Sequence, residues 1–442
     1  MTTPRGTRDP IIKAATAAAA VASVEWYDFF VYGTAAALIF PKLFFPGTLS
    51  PFVAQIAAFS TFAVGFLARP IGGAMFGHIG DLLGRKRALV LALVLMGSAT
   101  TLIGLLPGYA VIGDFAPLLL VILRFIQGLA VGGQWGGAAL LAIENAPPNR
   151  RGFYGSFAQI GVPAGLVLAN AILYIVGIWL EPAAFQSWGW RVPFVLSLLI
   201  VGIGLYVQFR IEETKEFSSK VIEQAEKKAA EARKRSPIWD VIRTHPKEIV
   251  LAGGAFIANN ICFYVAITYA IAYGTATLHM PKQVMLSAVM LASAAMVPAL
   301  ILAGWLSDKW GRLKIFMAGA VLAGIWAFAF FPLMETKSPL LITLDIMIEM
   351  FPLSVMYGPQ AALFADLFPV KMRYSGASLG YQVGSVVGGG FAPIIATALY
   401  EEFNTTFSIG LYMFFACAIT FVCTYLLGRS VNYGAGQGRV IT

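Results

Sequence analysis

Charge is what this chain has least of. Only 12% of its 442 residues are Asp, Glu, Lys or Arg, against about 25% in an ordinary soluble domain, too few to cover several globular domains with a hydrated surface. Histidine is scarcer: His78, His245 and His279 lie in separate stretches and form no metal-ligand spacing. The sequence contains neither a Walker loop nor a nucleophile elbow, which argues against an intramembrane or nucleotide-dependent enzyme, and no metal or cofactor is expected. The cysteines, Cys262, Cys417 and Cys423, are odd in number and sit in apolar runs, so they read as packing residues without a disulfide framework. A formal charge of +9 would suit nucleic acid, but the basic residues lie in short loops and not on an aromatic-laced face. Nucleic acid is therefore not an expected partner.

What the chain has instead is apolar sequence. Hydrophobic residues make up 58%, the mean hydropathy is +0.76, and runs of about 20 residues recur, the length that crosses a bilayer. Arg5, Arg8 and Lys13 before an alanine-rich run resemble the start of a signal peptide. That run continues through Glu25 and Asp28 to Phe40, longer than a signal core, so a retained first helix is expected. Twelve spans are predicted, roughly 16–40, 52–79, 88–108, 115–143, 153–180, 191–210, 248–273, 284–306, 315–333, 340–367, 374–400 and 406–428. Only helices satisfy their own backbone in lipid at these lengths, so the fold class is an all-α polytopic membrane protein. With the N-terminus inside, only Lys42, Arg191, Lys282 and Lys337 fall in outer loops, while Arg69 and Arg124 lie within spans. The positive-inside rule then places both termini in the cytoplasm of a multi-pass protein of the inner (plasma) membrane. The expected division is a six-helix bundle over 1–210, a central loop over 211–247, a second bundle over 248–428 and a tail over 429–442. In the central loop, Glu223/Lys227 and Glu231/Arg235 are helix-spaced pairs, suiting a solvated connecting helix.

The two halves repeat. In "GHIGDLLGRKR" (77–87), Gly77, Asp81, Gly84 and Arg85 line up with Gly304, Asp308, Gly311 and Arg312 of "GWLSDKWGRLK" (304–314). Glu144, Arg151 and Gln159 line up with Asp366, Arg373 and Gln382 at nearly the same offset. Duplicated parallel six-helix halves point to a secondary transporter with its binding site near midplane between them. In the loop, Gly77 permits close helix approach. Asp81 is placed to accept backbone N–H bonds at a neighbouring helix N-terminus, and Arg85 to pair with Asp81 and Glu144. Such a cluster would close the inner side; the alternative is plain topological anchoring. The second copy has Leu313 and Lys314 where the first has Lys86 and Arg87, so a weaker gate is expected from Asp308, Arg312, Asp366 and Arg373.

Both loops resemble the signature loop of the major facilitator superfamily. "EWYDFFVYG", "FLARPIGGAMFGHIGDLLGRK", "RFIQGLAVGGQWGGA", "GWRVPF" and "IEETKEF" are similar to the metabolite:proton symporter group, which carries shikimate, α-ketoglutarate, citrate, and proline or betaine. The resemblance implies a proton-coupled symporter, with a proton as coupling ion and span 11 supplying the helix terminus for Asp81; a proton-independent facilitator is the nearest alternative, and a monomer is expected. It also implicates a span 1 acid and a span 4 arginine in coupling.

Glu25 and Asp28, three apart, share one face of span 1. A charge there costs about 2.5–3.5 kcal/mol on insertion scales, and two neighbouring buried carboxylates resist double ionisation. A proton taken on one side and released on the other would explain their retention, with Arg124 as the cation whose pairing changes; a static ion pair is the alternative. Arg69, beside Pro70, is a fork-shaped donor suited either to a solute carboxylate or to the span 1 acids. Trp26, Tyr27, Gln127, Gln134, Trp135, Gln159, Asn259, Asn260, Tyr264, Gln360, Tyr381 and Gln382 are taken together as the lining of a polar cavity. Asp345 and Glu349 are expected near the outer end of span 10, as an outer gate or simply exposed. Trp188, Trp190, Trp239, Trp305 and Trp310 read as an interfacial belt. The arginines favour an organic anion such as shikimate, and an aromatic cage would be needed for a zwitterion.

Overall fold

The computed structural model describes residues 8–83, 85–132, 143, 146–211, 237–368 and 373–429. The long helices are α1 (Arg8–Leu38), α2 (Pro51–Leu83), α3 (Arg85–Leu105), α4 (Phe115–Gly132), α5 (Arg151–Trp179) and α6 (Val192–Ile211). They are followed by α7 (Pro246–Thr277), α8 (Lys282–Trp310), α9 (Arg312–Glu335) and α10 (Pro339–Asp366). Next, α11 starts at Arg373–Gly384 and runs on through Ser385–Gly390 and Ala392–Phe403, and α12 is Phe407–Gly428. Nine helices among the described residues are long and apolar enough to cross a bilayer, and Val90–Leu105 and Gly189–Ile203 are shorter apolar helices. With α1 they correspond to the expected spans. Broad rows of exposed apolar side chains, such as Leu198, Ile203, Ile325, Phe415 and Val422, suit a lipid-facing perimeter.

Helix pairing repeats. In the first six helices α1 packs on α5, α2 on α4, and α3 on α6; six helices on, α7 packs on α11, α8 on α10, and α9 on α12. Across the halves, α5 packs on α8 and α10, α2 on α11, and α1 on α7. These contacts hold the rings of Phe29, Phe30, Phe62 and Phe66 against Phe263 and Tyr264, with centroids 5.2 Å apart for Phe66–Tyr264 and 6.0 Å for Phe30–Phe263.

Two helices depart from α geometry at the centre. α7 loosens into π turns at Val265–Tyr269 and Tyr273–Thr277, and α11 at Ser385–Gly390. A π turn widens the backbone by one residue and commonly marks a functional site. Prolines inside α2 (Pro70), α8 (Pro298) and α10 (Pro352, Pro359) add weak points in the hydrogen-bond ladder.

Candidate functional site: a gate, a buried relay and a central cavity

The second copy of the loop makes a contact between the halves. Asp308, near the end of α8, accepts the backbone N–H groups of Gly152 and Phe153, each at 2.8 Å. Those donors belong to the first turn of α5, where free N–H groups and the helix dipole favour an anion. The bond crosses between the halves, and it needs close approach: a Cβ on Gly152 would lie 2.7 Å from the Gly304 carbonyl oxygen. Arg312 pairs with Asp366 of α10 and lies 3.6 Å from Asp308. Asp308, Arg312 and Asp366 thus meet as the repeat predicts, while the first-copy side chains with which their strength would be compared lie outside the described residues. The side chains of Gly77, Asp81, Arg85 and Arg373 and the whole of Glu144 lie outside what is described, while Arg151 stands at the start of α5. At the opposite end of α5, the Gln283 amide donates to the Gly177 carbonyl at 3.1 Å, so α5 and α8 meet at both ends.

The relay lies inside the first half. Asp28 is fully buried and accepts the Ser197 hydroxyl of α6 at 2.5 Å, while its Oδ2 has no partner. The Thr100 hydroxyl of α3 faces it, and Thr100 in turn accepts the Gln127 amide at 2.6 Å. Gln127 accepts Arg124 Nη1 at 2.7 Å. Among the described residues no ion pair joins Arg124 to Asp28 or Glu25 in this conformation; a chain through Gln127 and Thr100 lies between Arg124 and Asp28. The guanidinium rests over Phe29 at 4.2 Å and Tyr32 at 4.1 Å, each contact worth about 2 kcal/mol where water is excluded. Gly65 leaves the space it fills, since a Cβ there would meet Arg124 Cζ at 2.9 Å. Glu25 is half-buried on α1.

Arg69 is also enclosed, 1% exposed, with Nε and Nη2 unpartnered and its plane 4.4 Å from the rings of Phe29 and Phe66. It touches Trp26 at 5.5 Å and lies within reach of the Tyr264 hydroxyl. Trp26 and Tyr264 line a central cavity together with Asn259, Asn260, Tyr357 and Tyr381. The cavity encloses 20 Å³, about what one buried water requires and far less than a metabolite.

Other expectations are redistributed. Tyr27 turns away from the cavity and donates to the Pro193 carbonyl at 2.6 Å, because adjacent residues on a helix point about 100° apart. Gln127 belongs to the relay and not to the cavity lining. Gln159 reaches the Tyr357 carbonyl at 3.5 Å, and Asn259 the Leu353 carbonyl at 3.0 Å, both bracing α10. Asn260 turns back onto Phe256 of its own helix. Gln360 and Gln382 are buried, with unpartnered amide atoms. Gln134 and Trp135 lie outside the described residues. Asp345 and Glu349 are corrected from near-exposed to fully buried. Trp190 is fully buried among Phe40, Phe44 and Phe194, not in an interfacial belt; Trp188, Trp305 and Trp310 are exposed, and the Trp239 side chain is outside the described set. Thr100 and Ser197 are invisible to sequence reasoning, since a hydroxyl in a span carries no signal without its neighbours.

Comparison with known proteins fixes the family. Residues 19–379 match the Major Facilitator Superfamily profile. The shikimate transporter of Escherichia coli (strain K12) is 40% identical over 420 residues, covering 95% of this chain and 94% of that protein. An inner membrane metabolite transport protein of the same organism is 39% identical, covering 96% and 95%. A solved proton:xylose symporter superposes with a TM-score of 0.74 at 17% identity, covering 95% of this chain and 96% of that one, a likeness of fold. Carrying the duplicated loop, the paired halves and the enclosed arginines, this chain belongs to the major facilitator superfamily and, within it, to the metabolite:proton symporter family of transporters.

Proposed function

We propose that the protein is a proton symporter that brings a small carboxylate-bearing metabolite, of the shikimate type, into the cytoplasm by alternating access. The supporting observation is Arg69: a buried guanidinium with two free N–H directions, set against two residues of the central cavity. An uncompensated cation in a low-dielectric site is costly, and a solute carboxylate would relieve it through a bidentate pair. Asparagine and tyrosine donors of α7 and α11 would hold the solute's hydroxyls, and Trp26 its apolar face. The similarity to the shikimate transporter favours the same solute class.

In this reading the bundles are 1–210 and 248–428, joined by a cytoplasmic loop over 211–247, with a tail over 429–442 and both termini on the cytoplasmic side of the inner membrane. Asp28 and Glu25 carry the proton. Ionised Asp28 draws the Thr100 hydroxyl toward itself; protonated Asp28 releases it to the Met96 carbonyl, its partner here at 2.9 Å. Each change resets what Gln127 and Arg124 can bond, so the charge on α1 reaches α4 without direct contact. Asp308 caps the opposing helix and holds the inner side shut until the halves rock, the part the repeat would also give to Asp81.

The test is counterflow and uptake in proteoliposomes offered shikimate, α-ketoglutarate, citrate, proline and betaine. Shikimate or another organic anion is expected to exchange, with uptake abolished by a protonophore. Exchange of betaine or proline alone, or uptake indifferent to the protonophore, would overturn this reading.

A further inference from the structure

A second pair of acids lies deep in the other half. Asp345 and Glu349 are four residues apart on α10, share one face, and are both 0% exposed. Glu349 sits about 15 Å along a 28-residue helix, close to mid-membrane. Asp345 Oδ1 accepts the Trp326 indole N–H of α9 at 3.0 Å, Asp345 Oδ2 has no hydrogen-bond partner, and among the described residues the Glu349 carboxylate meets no donor stronger than the Cys262 thiol. The groups facing the pair are Trp326 from α9, Cys262 from α7 and Cys417 from α12, with the Tyr412 hydroxyl of α12 beside Cys262. The two thiols are 3.8 Å apart. α8, packed along α10, carries no ionisable residue between Lys282 and Asp308. Among the described residues no Lys or Arg pairs with either acid.

Two adjacent carboxylates without cation or strong donor cannot both stay ionised in a dry interior. Donors that would hold an ionised pair, such as arginine or backbone N–H groups, are not supplied by the four helices around it; the thiol of Cys262 is a weak donor. A proton on Glu349 would relieve the site, because it removes one of two like charges and supplies an O–H donor to a pair one helical turn apart. We propose that Asp345 and Glu349 form a proton-binding site of the second bundle, separate from the carboxylates of α1, in which a shared proton holds α7, α9, α10 and α12 together. The site faces Trp326 of α9 and Cys417 of α12 and is not among the residues that line the central cavity. It stands apart from the coupling role proposed for Asp28, and its test reads the acids directly instead of transport.

The experiment is infrared difference spectroscopy of the whole protein in lipid. In the Glu25→Gln/Asp28→Asn double variant, a protonated-carboxyl carbonyl band is expected at neutral pH, lost reversibly on alkalinisation. Adding Glu349→Gln should remove it, and Trp326→Phe, which takes away one donor to Asp345, should shift its frequency while leaving it present. The S–H stretch of Cys262, assigned by Cys262→Ala, should shift in step with the alkaline titration. If Glu349→Gln does not fold, the Trp326→Phe shift and the S–H titration decide. No carbonyl band in the double variant, or a band that neither Glu349→Gln nor Trp326→Phe alters, would overturn the proposal.

Discussion

Asp308→Asn should open the closed end of the transporter. The wild-type carboxylate holds two backbone N–H groups of α5 at 2.8 Å each, and Arg312 stands 3.6 Å away. Hydrogen bonds to a charged group contribute about 1.5–3 kcal/mol each. Asparagine keeps one oxygen acceptor but presents an NH₂ to the second donor and loses the charge that complements the helix terminus. A net loss of about 2 kcal/mol from the closed form is a population shift of about thirtyfold. Spin labels at Asn149→Cys and Lys314→Cys, both exposed, in a background with the native cysteines replaced by alanine, measure the separation of α5 from α9. The closed distance should give way to a longer one in Asp308→Asn, while Asp308→Glu should retain most of the closed population. Identical distance distributions in wild type and Asp308→Asn would refute the reasoning.

Arg312→Ala should lower the melting temperature in detergent by removing the buried Arg312–Asp366 ion pair, with partial recovery in Arg312→Ala/Asp366→Asn. Gly152→Leu should block closure sterically, since even a Cβ meets the Gly304 carbonyl oxygen at 2.7 Å; solute exchange should fall more than tenfold while the protein still folds and reconstitutes. Arg69→Lys should raise KM at least tenfold, about 1.4 kcal/mol, because an ammonium cannot give the bidentate bond, and a zwitterion-type solute would show no such loss. Thr100→Val should alter the pH profile of uptake by cutting the relay between Asp28 and Gln127, and Thr100→Ser should restore it.

The spans were legible because bilayer thickness fixes helix length and the cost of exposed backbone forbids alternatives. The repeat was legible because Gly77–Arg85 and Gly304–Arg312 keep the same residues at the same spacing. What a single chain cannot display is which helix end a carboxylate meets. Asp308 finds its partners in α5, at the edge of a different half, and only packing brings Gly152 there. Helix phase was the second blind spot. Trp26 and Tyr27 are neighbours in sequence but point to different surroundings, and Asp345 reads as near an end although its face turns inward to Trp326. The π turns of α7 and α11 carry no sequence signal at all. Arg124 shows the same limit from the other side: residue type and depth marked it, yet its partners Gln127 and Thr100 come from the register of α4 against α3.

Accumulation by Asp28→Asn is the most direct measure of coupling through α1. Proteoliposomes with an imposed inward proton gradient should concentrate the solute with the wild-type protein. With Asp28→Asn they should only equilibrate it, while counterflow exchange, which needs no net proton movement, continues. Asp28→Asn vesicles that still concentrate solute as the wild type does would contradict the account.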